Sequence, residues 1–384
     1  MTLHSTLFFT DRMAPSNPKY KNVFVKPDEQ REFTHSVVAR KGRMKSNILL
    51  IRFSAIGDVA MTVPVIESVA KAYPDKHFTM LSNVRFAPFF AGMPENVSFM
   101  GVDLKKDYHG FGAMLKLFFR LRRKHFDAVA DLHGVLRTTA LSFFFRSCFT
   151  RVKRIDKDRR SRKRLTRLKN KDLTPRLTSF DRYRIVLEKL GFSFDLKFRS
   201  IFGDGKGNLS SIKNIVGEKD CTWIGIAPFA AHRGKIYPLY LMEEVVSQID
   251  SSCLCRQFVF AYGKERPLVE EWAQKYHSVE IIDTRLGLEG ELTLISNMEV
   301  MLAMDSSNMH LASITAVPVI SVWGATHPIA GFMGWGQKPD DCMQLDLPCR
   351  PCSIYGKKEC IYGDYHCMTG IDPDKVFAKV KAYL

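Results

Sequence analysis

At 384 residues the chain is longer than a single core usually supports, so two domains of ordinary size are expected. Hydrophobic residues make up 46% and charged residues 25%, and no apolar run is long enough to span a bilayer, which points to a soluble globular protein and away from a helical membrane protein. A net charge of +17 favours an anionic partner, whether nucleic acid, a phosphorylated sugar or an acidic membrane face, without choosing among them.

Residues 1–43 carry no clear period, and Met44-Lys45-Ser46 directly precedes the first strand pattern. Two readings stay open: a start at Met44, with the leader a gene-model extension, or an unstructured tail. Nine cysteines, with no charged-then-apolar leader ahead of a cleavage site, point to a reducing, cytoplasmic compartment.

Residues 47–53, Asn-Ile-Leu-Leu-Ile-Arg-Phe, are apolar on nearly successive positions, as a strand covered on both faces of a parallel sheet requires. Ser54-Ala55-Ile56-Gly57-Asp58 then turns into a helix expected from near Val59. This loop has neither the G-x-G-x-x-G of dinucleotide enzymes nor the lysine of a P-loop, which disfavours a dehydrogenase or a standard NTPase. Asp58 falls in the first helical turn, where a carboxylate is stabilised as the anion. Further alternation follows, with strands predicted at 77–82, 97–102 and 128–132 and helices at 85–91 and 112–124, the pattern of a doubly wound domain. The stretch from Asp131 through His133 and Gly134 to Thr138 puts polar groups at a strand's carboxyl end, where open α/β sheets bind ligands.

Residues 151–172 are densely basic. The segment lacks the interleaved aromatics of single-strand binders and any helix-turn-helix or zinc-finger frame, which argues against nucleic acid. A solvated charged face is one reading; a contact to an anionic acceptor or membrane surface, made by Arg159, Arg160, Arg162 and Lys163, is the other. A helix is expected at 181–190, and the glycine-rich 203–208 is the candidate interdomain linker. A second β/α series opens with the strand at 222–228, and its loop carries Lys235 to a helix starting near Pro238, within reach of an anion at that helix terminus. The strand at 257–262 ends in Gly263-Lys264-Glu265. The apolar run Met301-Leu302-Ala303-Met304 breaks at Asp305-Ser306-Ser307 before a short helix and a second apolar run, 317–324, which together read as β-loop-α-β. Free N–H groups at that helix start suit a phosphate or a ribose, although an ordinary N-capped crossover helix has the same pattern.

The ordered set of Ile51-Arg52-Phe53-Ser54-Ala55-Ile56-Gly57-Asp58-Val59, Asp131-Leu132-His133-Gly134, the Lys235 loop, Asp305 to Ala312 and Trp323 to Pro328 resembles glycosyltransferase family 9, the ADP-heptose:lipopolysaccharide heptosyltransferases. The resemblance implies an α/β chain of GT-B architecture, two facing Rossmann-like doubly wound domains. These are expected at 46–202 on the acceptor side and 203–384 on the donor side, behind a leader of residues 1–45. It implies Asp58 as catalytic base, Lys235 on the donor diphosphate, Glu265 on the donor ribose, and Asp305, Ser306, Ser307 and His310 as the donor loop. Where the family usually has Asp-Thr-Gly this chain has Asp305-Ser306-Ser307, which puts a side chain where close backbone approach is usual. The same resemblance implies inverting transfer of a heptose or related sugar from an ADP-sugar to a lipid A–core acceptor, by a monomer peripheral to the cytoplasmic face of the inner membrane, with no cofactor, no metal and no nucleic acid. The competing class is a basic nucleic-acid or anionic-membrane binding protein without catalysis.

Cys349-Arg350-Pro351-Cys352, with Cys360 and Cys367, supplies enough thiolates for zinc, but the second pair is spaced by six residues instead of two to four. The four cysteines are read as a feature of a folded loop, zinc remaining the alternative.

Overall fold

The computed structural model describes residues 46–108, 110–252 and 254–384, so the readings of Met44 and of the leader lie outside the described residues. The first half runs β1 (Asn47–Ile51), α1 (Ile56–Ala60), α2 (Val63–Ala72), β2 (His77–Asn83), β3 (Val97–Val102), α3 (Gly110–Arg122), β4 (Ala128–Asp131), α4 (Leu136–Ser147), β5 (Arg151–Arg154), α5 (Arg159–Leu165) and α6 (Ser179–Glu188). The second continues with α7 (Lys213–Val216), β6 (Thr222–Ala227), α8 (Leu239–Ser252), β7 (Cys255–Val259), α9 (Glu270–Lys275), β8 (Val279–Ile281), α10 (Gly287–Ser296), β9 (Val300–Met304), α11 (Ser307–Ile314), β10 (Val319–Val322), β11 (Cys342–Met343), α12 (His366–Thr369) and α13 (Pro373–Lys381).

All pairings are parallel, in the orders β3-β2-β1-β4-β5 and β11-β10-β9-β6-β7-β8. Each sheet therefore reverses direction of strand addition beside its first strand, and the crevice at that switch is where such sheets take ligands. Register makes this concrete. Ile51 stands beside Asp131, so the loops after β1 and β4 leave one rim together, and Ala227 stands beside Ala303, which does the same for the Lys235 and Asp305 loops.

Successive residues of β1 point to opposite faces, which explains its unbroken apolar run. Leu49 and Ile51 pack with Leu117, Leu121, Leu141 and Phe145 under α3 and α4. Ile48 and Leu50 join a second cluster with Val65, Tyr183 and Leu187, and that cluster continues into the other sheet through Trp223, Leu294, Met301 and Met309.

Four details depart from the expectations. The first helix begins at Ile56, not near Val59, and breaks at Met61–Thr62 where Pro64 opens α2. Residues 84–90 form a 3₁₀ helix containing Pro88. The basic segment opens as a strand, β5, an edge strand whose Val152 is buried while Arg151 and Lys153 face out. The glycine-rich 203–208 is not a loose linker. Gly207 donates to Ser296 Oγ at 2.8 Å and accepts from Asn297 Nδ2 at 2.9 Å, so it is docked on α10. The chain crosses earlier, between Lys197, bonded to Ser68, and Ile201, bonded to Ile314.

The two halves meet where α1 lies on α11. A Cβ at Gly57 would stand 2.6 Å from His310 Cδ2 and 3.5 Å from Ser307 Cα, so the close approach depends on glycine at 57.

Candidate active site

The site is assembled from the ends of β1 and β4 on one side of this seam and β6, β7 and β9 on the other. Arg52, only 8% exposed at the end of an apolar strand, has its charge compensated locally. Its Nη1 donates to Leu132 O at 2.7 Å, its Nε to Ser54 O at 3.0 Å, and its Nη2 lies 2.6 Å from Asp58 Oδ2. Burial alone would weaken the guanidinium's hold on its proton; Tyr183 and Asp58 outweigh it and raise the pKa above the ordinary value. Asp58 Oδ2 also accepts from the Ala55 N–H at 3.3 Å, and Tyr183 Oη donates to the Asp58 carbonyl at 3.3 Å. Both carboxylate bonds fall on Oδ2, and the side chain is 33% exposed, so an oriented carboxylate stays open to the crevice.

The loop after β4 is shaped by Asp131. This buried carboxylate accepts from the N–H groups of His133 and Gly134 at 3.0 and 2.8 Å and lies 3.1 Å from Arg154 Nε, which makes it a loop-former. His133 Nδ1 receives the Phe53 N–H at 3.4 Å, and burial, then Arg52 and Lys157, bring its pKa down to about 4. Lys157 packs along Gly134, and burial together with Arg52 and Arg159 lowers its pKa.

Across the seam, Lys235 closes a 3₁₀ turn after β6 and reaches Asp305 Oδ2 at 3.1 Å. Its stem is overlain by Gly356, where a Cβ would stand 2.5 Å from Lys235 Cγ, and Gly356 itself has a φ of +76°. Ser306 caps α11 without a side-chain bond, and its Oγ is buried with no partner, as is His310 Nδ1. Burial lowers the His310 pKa to about 4, with Lys235 acting the same way and Asp305 and Asp58 against it, so the ring is neutral. Buried polar atoms without partners beside free helix-start N–H groups form a site that a polar, anionic ligand would satisfy.

Asp58, Asp305, Ser306, Ser307, His310 and Lys235 thus gather at one seam. Glu265 stands one strand away, at the end of β7, where its Oε2 accepts from the Tyr262 N–H at 3.3 Å and burial raises its pKa. The α5 residues divide. Arg159, Arg160 and Lys163 are exposed, but Arg162 donates to Tyr355 Oη at 2.7 Å and stacks over Phe332 at 4.9 Å. Lys171 donates to the carbonyls of Cys349 and Pro351 at 2.8 Å, so the basic segment is a strap onto the second half. The four C-terminal cysteines are free and line one cavity of about 240 Å³; burial raises the pKa of Cys367 to about 11. Among the described residues no three of His, Cys, Asp or Glu converge as metal ligands.

The family described as glycosyltransferase family 9 (heptosyltransferase) matches residues 114–366, about two thirds of the chain. The chain belongs to glycosyltransferase family 9. A curated relative, lipopolysaccharide heptosyltransferase 1 of Pseudomonas aeruginosa, is 21% identical over 357 residues, covering 88% of this chain and 98% of its own. The structure of E. coli ADP-heptose lipopolysaccharide heptosyltransferase II superposes with a TM-score of 0.65 at 17% identity, over 88% of this chain and 98% of that one. TibC of enterotoxigenic E. coli H10407, an iron-containing dodecameric glycosyltransferase, superposes at 0.53 with 12% identity, over 89% of this chain and 77% of that one. The fold of this family 9 glycosyltransferase is therefore GT-B.

Arg52, Lys157, Tyr183 and Gly356 were not among the residues expected at the site. Arg52 had a local signal, because a charge inside an apolar strand must be paired. The other three reach the site only through tertiary packing.

Proposed function

We propose that this family 9 glycosyltransferase moves a heptose or related sugar from an ADP-sugar onto a lipopolysaccharide core acceptor, on Kdo-lipid A or the growing inner core, at the cytoplasmic face of the inner membrane. The observation that carries the reading is the seam itself. Gly57 lets the helix bearing Asp58 rest on the helix start bearing Ser306 and His310, with Lys235 paired to Asp305 beside it. The names of the relatives supply the sugar and acceptor classes. The half before the crossing between Lys197 and Ile201 serves as the acceptor side and the half after it as the donor side.

The chemistry follows from the charges. Asp58, held through Oδ2 by Arg52, presents Oδ1 to the acceptor hydroxyl. As that oxygen bonds to the anomeric carbon from one face, the carbon–oxygen bond to the diphosphate breaks on the other, and the configuration inverts. The proton goes to Asp58 and the electron pair to the departing diphosphate. Lys235 and the free N–H groups of α11 receive that charge, so no step requires a metal. Neutral His310 offers Nδ1 to the donor, and Glu265 accepts from its ribose.

Asp58→Ala, with ADP-heptose and a deacylated Kdo-containing acceptor, is expected to lose on the order of 10²–10⁴-fold in turnover, read by product mass. Donor binding by calorimetry should stay at the wild-type value. Retained turnover would overturn the assignment of the base.

A further inference from the structure

The face of the first sheet covered by α3 and α4 carries apolar groups that nothing among the described residues covers. Phe119 on α3 is 51% exposed, Phe143 on α4 is 65% exposed, and Phe149, just after α4, is 99% exposed. Phe119 and Phe143 are joined through the rings between them, and Phe149 follows at the C-terminal end of α4. Phe119 meets Phe118 with centroids 5.6 Å apart, Phe118 meets Phe144 at 5.4 Å, and Phe144 meets Phe143 at 6.0 Å. Leu115, one turn before Phe119, and Leu136, at the start of α4, extend it, and Leu136 stands beside the Asp131–Gly134 loop at the crevice rim.

Phe149 is the most telling of these residues. It sits at φ +61°, in the left-handed position after α4, donating to Arg146 O at 2.9 Å while Thr150 donates to Phe145 O at 3.1 Å. That is the helix-ending turn in which glycine is the favoured residue. A fully exposed phenyl there is unfavourable for backbone and hydration alike, and gains nothing from the described residues.

The surrounding charge selects the occupant. Between residues 110 and 155 the chain carries ten Lys or Arg and two Asp. Of the two, Asp131 is buried and Asp127 accepts from the Asn47 N–H at 2.7 Å. Lys116 lies three residues before Phe119 on the same side of α3, Arg123 is in the turn that follows α3, and Arg146 lies three after Phe143; all three are exposed. A second copy of this face would set like charges against one another. An anionic bilayer surface meets both features, accepting aromatic rings at headgroup depth and basic side chains around them.

We infer that the α3–α4 face, centred on Phe119, Phe143 and Phe149, is the surface by which this enzyme sits on an anionic lipid leaflet, with Leu136 marking the side on which a lipid-borne acceptor enters the crevice. The inference rests on the proposed membrane-borne acceptor for its purpose, but not for its binding chemistry. It places the anchor on α3 and α4, leaving exposed Arg159, Arg160 and Lys163 of α5 for the acceptor's own charges.

The full chain is tested by co-sedimentation with phosphatidylcholine vesicles, with and without phosphatidylglycerol. The wild type should partition onto the anionic vesicles, and Phe119→Ser/Phe143→Ser should bind roughly tenfold less or weaker. Lys116→Gln/Arg123→Gln/Arg146→Gln should lose the preference for anionic lipid. Phe149→Gly guards against misfolding, since it relaxes the left-handed residue: its Tm should rise while its vesicle binding falls. Turnover on a water-soluble deacylated acceptor should match wild type in every variant. Wild-type protein that ignores both vesicles, or variants that bind as well as wild type, would overturn the inference. So would a drop in oligomer mass in the phenylalanine variants, which would make a second copy the occupant. If the wild type binds vesicles yet transfers no sugar to any acceptor, the functional reading fails while this surface stands.

Discussion

A guanidinium at the end of an apolar strand reports on its surroundings more sharply than the apolar residues beside it. Arg52 ties the carbonyls of Ser54 and Leu132 to the carboxylate of Asp58, so one side chain fixes two loops and the orientation of the base. Arg52→Gln should destabilise the protein by about 1–3 kcal/mol in urea denaturation, because the buried Leu132 carbonyl and the part-buried Ser54 carbonyl lose a charged donor. Turnover should fall with little change in donor affinity, and an unchanged kcat would remove Arg52 from the site. Gly57 makes the complementary case. A Cβ there meets the His310 ring at 2.6 Å, so Gly57→Ala should cost about 1–3 kcal/mol through overpacking. His310→Ala added to it should recover part of that loss. A double-mutant cycle with no coupling would show that the two residues do not share this contact. The first of these residues left a signal in the sequence, a charge inside an apolar run, that the reading of 47–53 as a buried strand passed over. The second was legible only as a glycine, because its partner lies in the other half of the chain.

At the scale of elements, the strands that read clearly are those buried on both faces, such as β1, β4, β6 and β9, whose apolar runs leave no polar face. β5 was hidden because three of its four residues are basic and only Val152 is fully buried, as an edge strand allows. The helix after it was read as charge alone, and charge cannot say which basic residue points where. Arg162 binds Tyr355 and Phe332, whereas Arg159, Arg160 and Lys163 remain exposed. Arg162→Gln should therefore lower thermal stability by about 1 kcal/mol, the scale of a cation–π contact and a charged hydrogen bond. Arg159→Gln/Arg160→Gln/Lys163→Gln should leave the melting temperature alone and raise the acceptor KM. A KM at the wild-type value in the triple variant would return those residues to the role of a solvated face.

For the whole molecule, pH is the clearest lever. His327, in the loop after β10, accepts from the Ile329 N–H through its Nδ1. Burial holds His133, His310 and His327 neutral, each down to about 4 from 6.5. Between those values the unfolded chain binds more protons than the folded one, so stability rises with pH. The contribution is complete above about 6.5 and is lost as pH falls through about 4. Melting temperatures recorded from pH 7 to pH 4 should fall steadily, and His310→Gln should flatten the slope by removing one of the three titrations. A slope equal to wild type would mean that His310 binds its proton equally well folded and unfolded. The apolar cluster that joins Leu50 and Val65 to Trp223 and Met309 has a consequence for exchanging parts between relatives. Chimeras that take one sheet from this chain and the other from a relative would sever a shared interior, not a loose hinge. Such hybrids should fold only if the residues on both banks of the seam, Gly57 and His310 first among them, travel together.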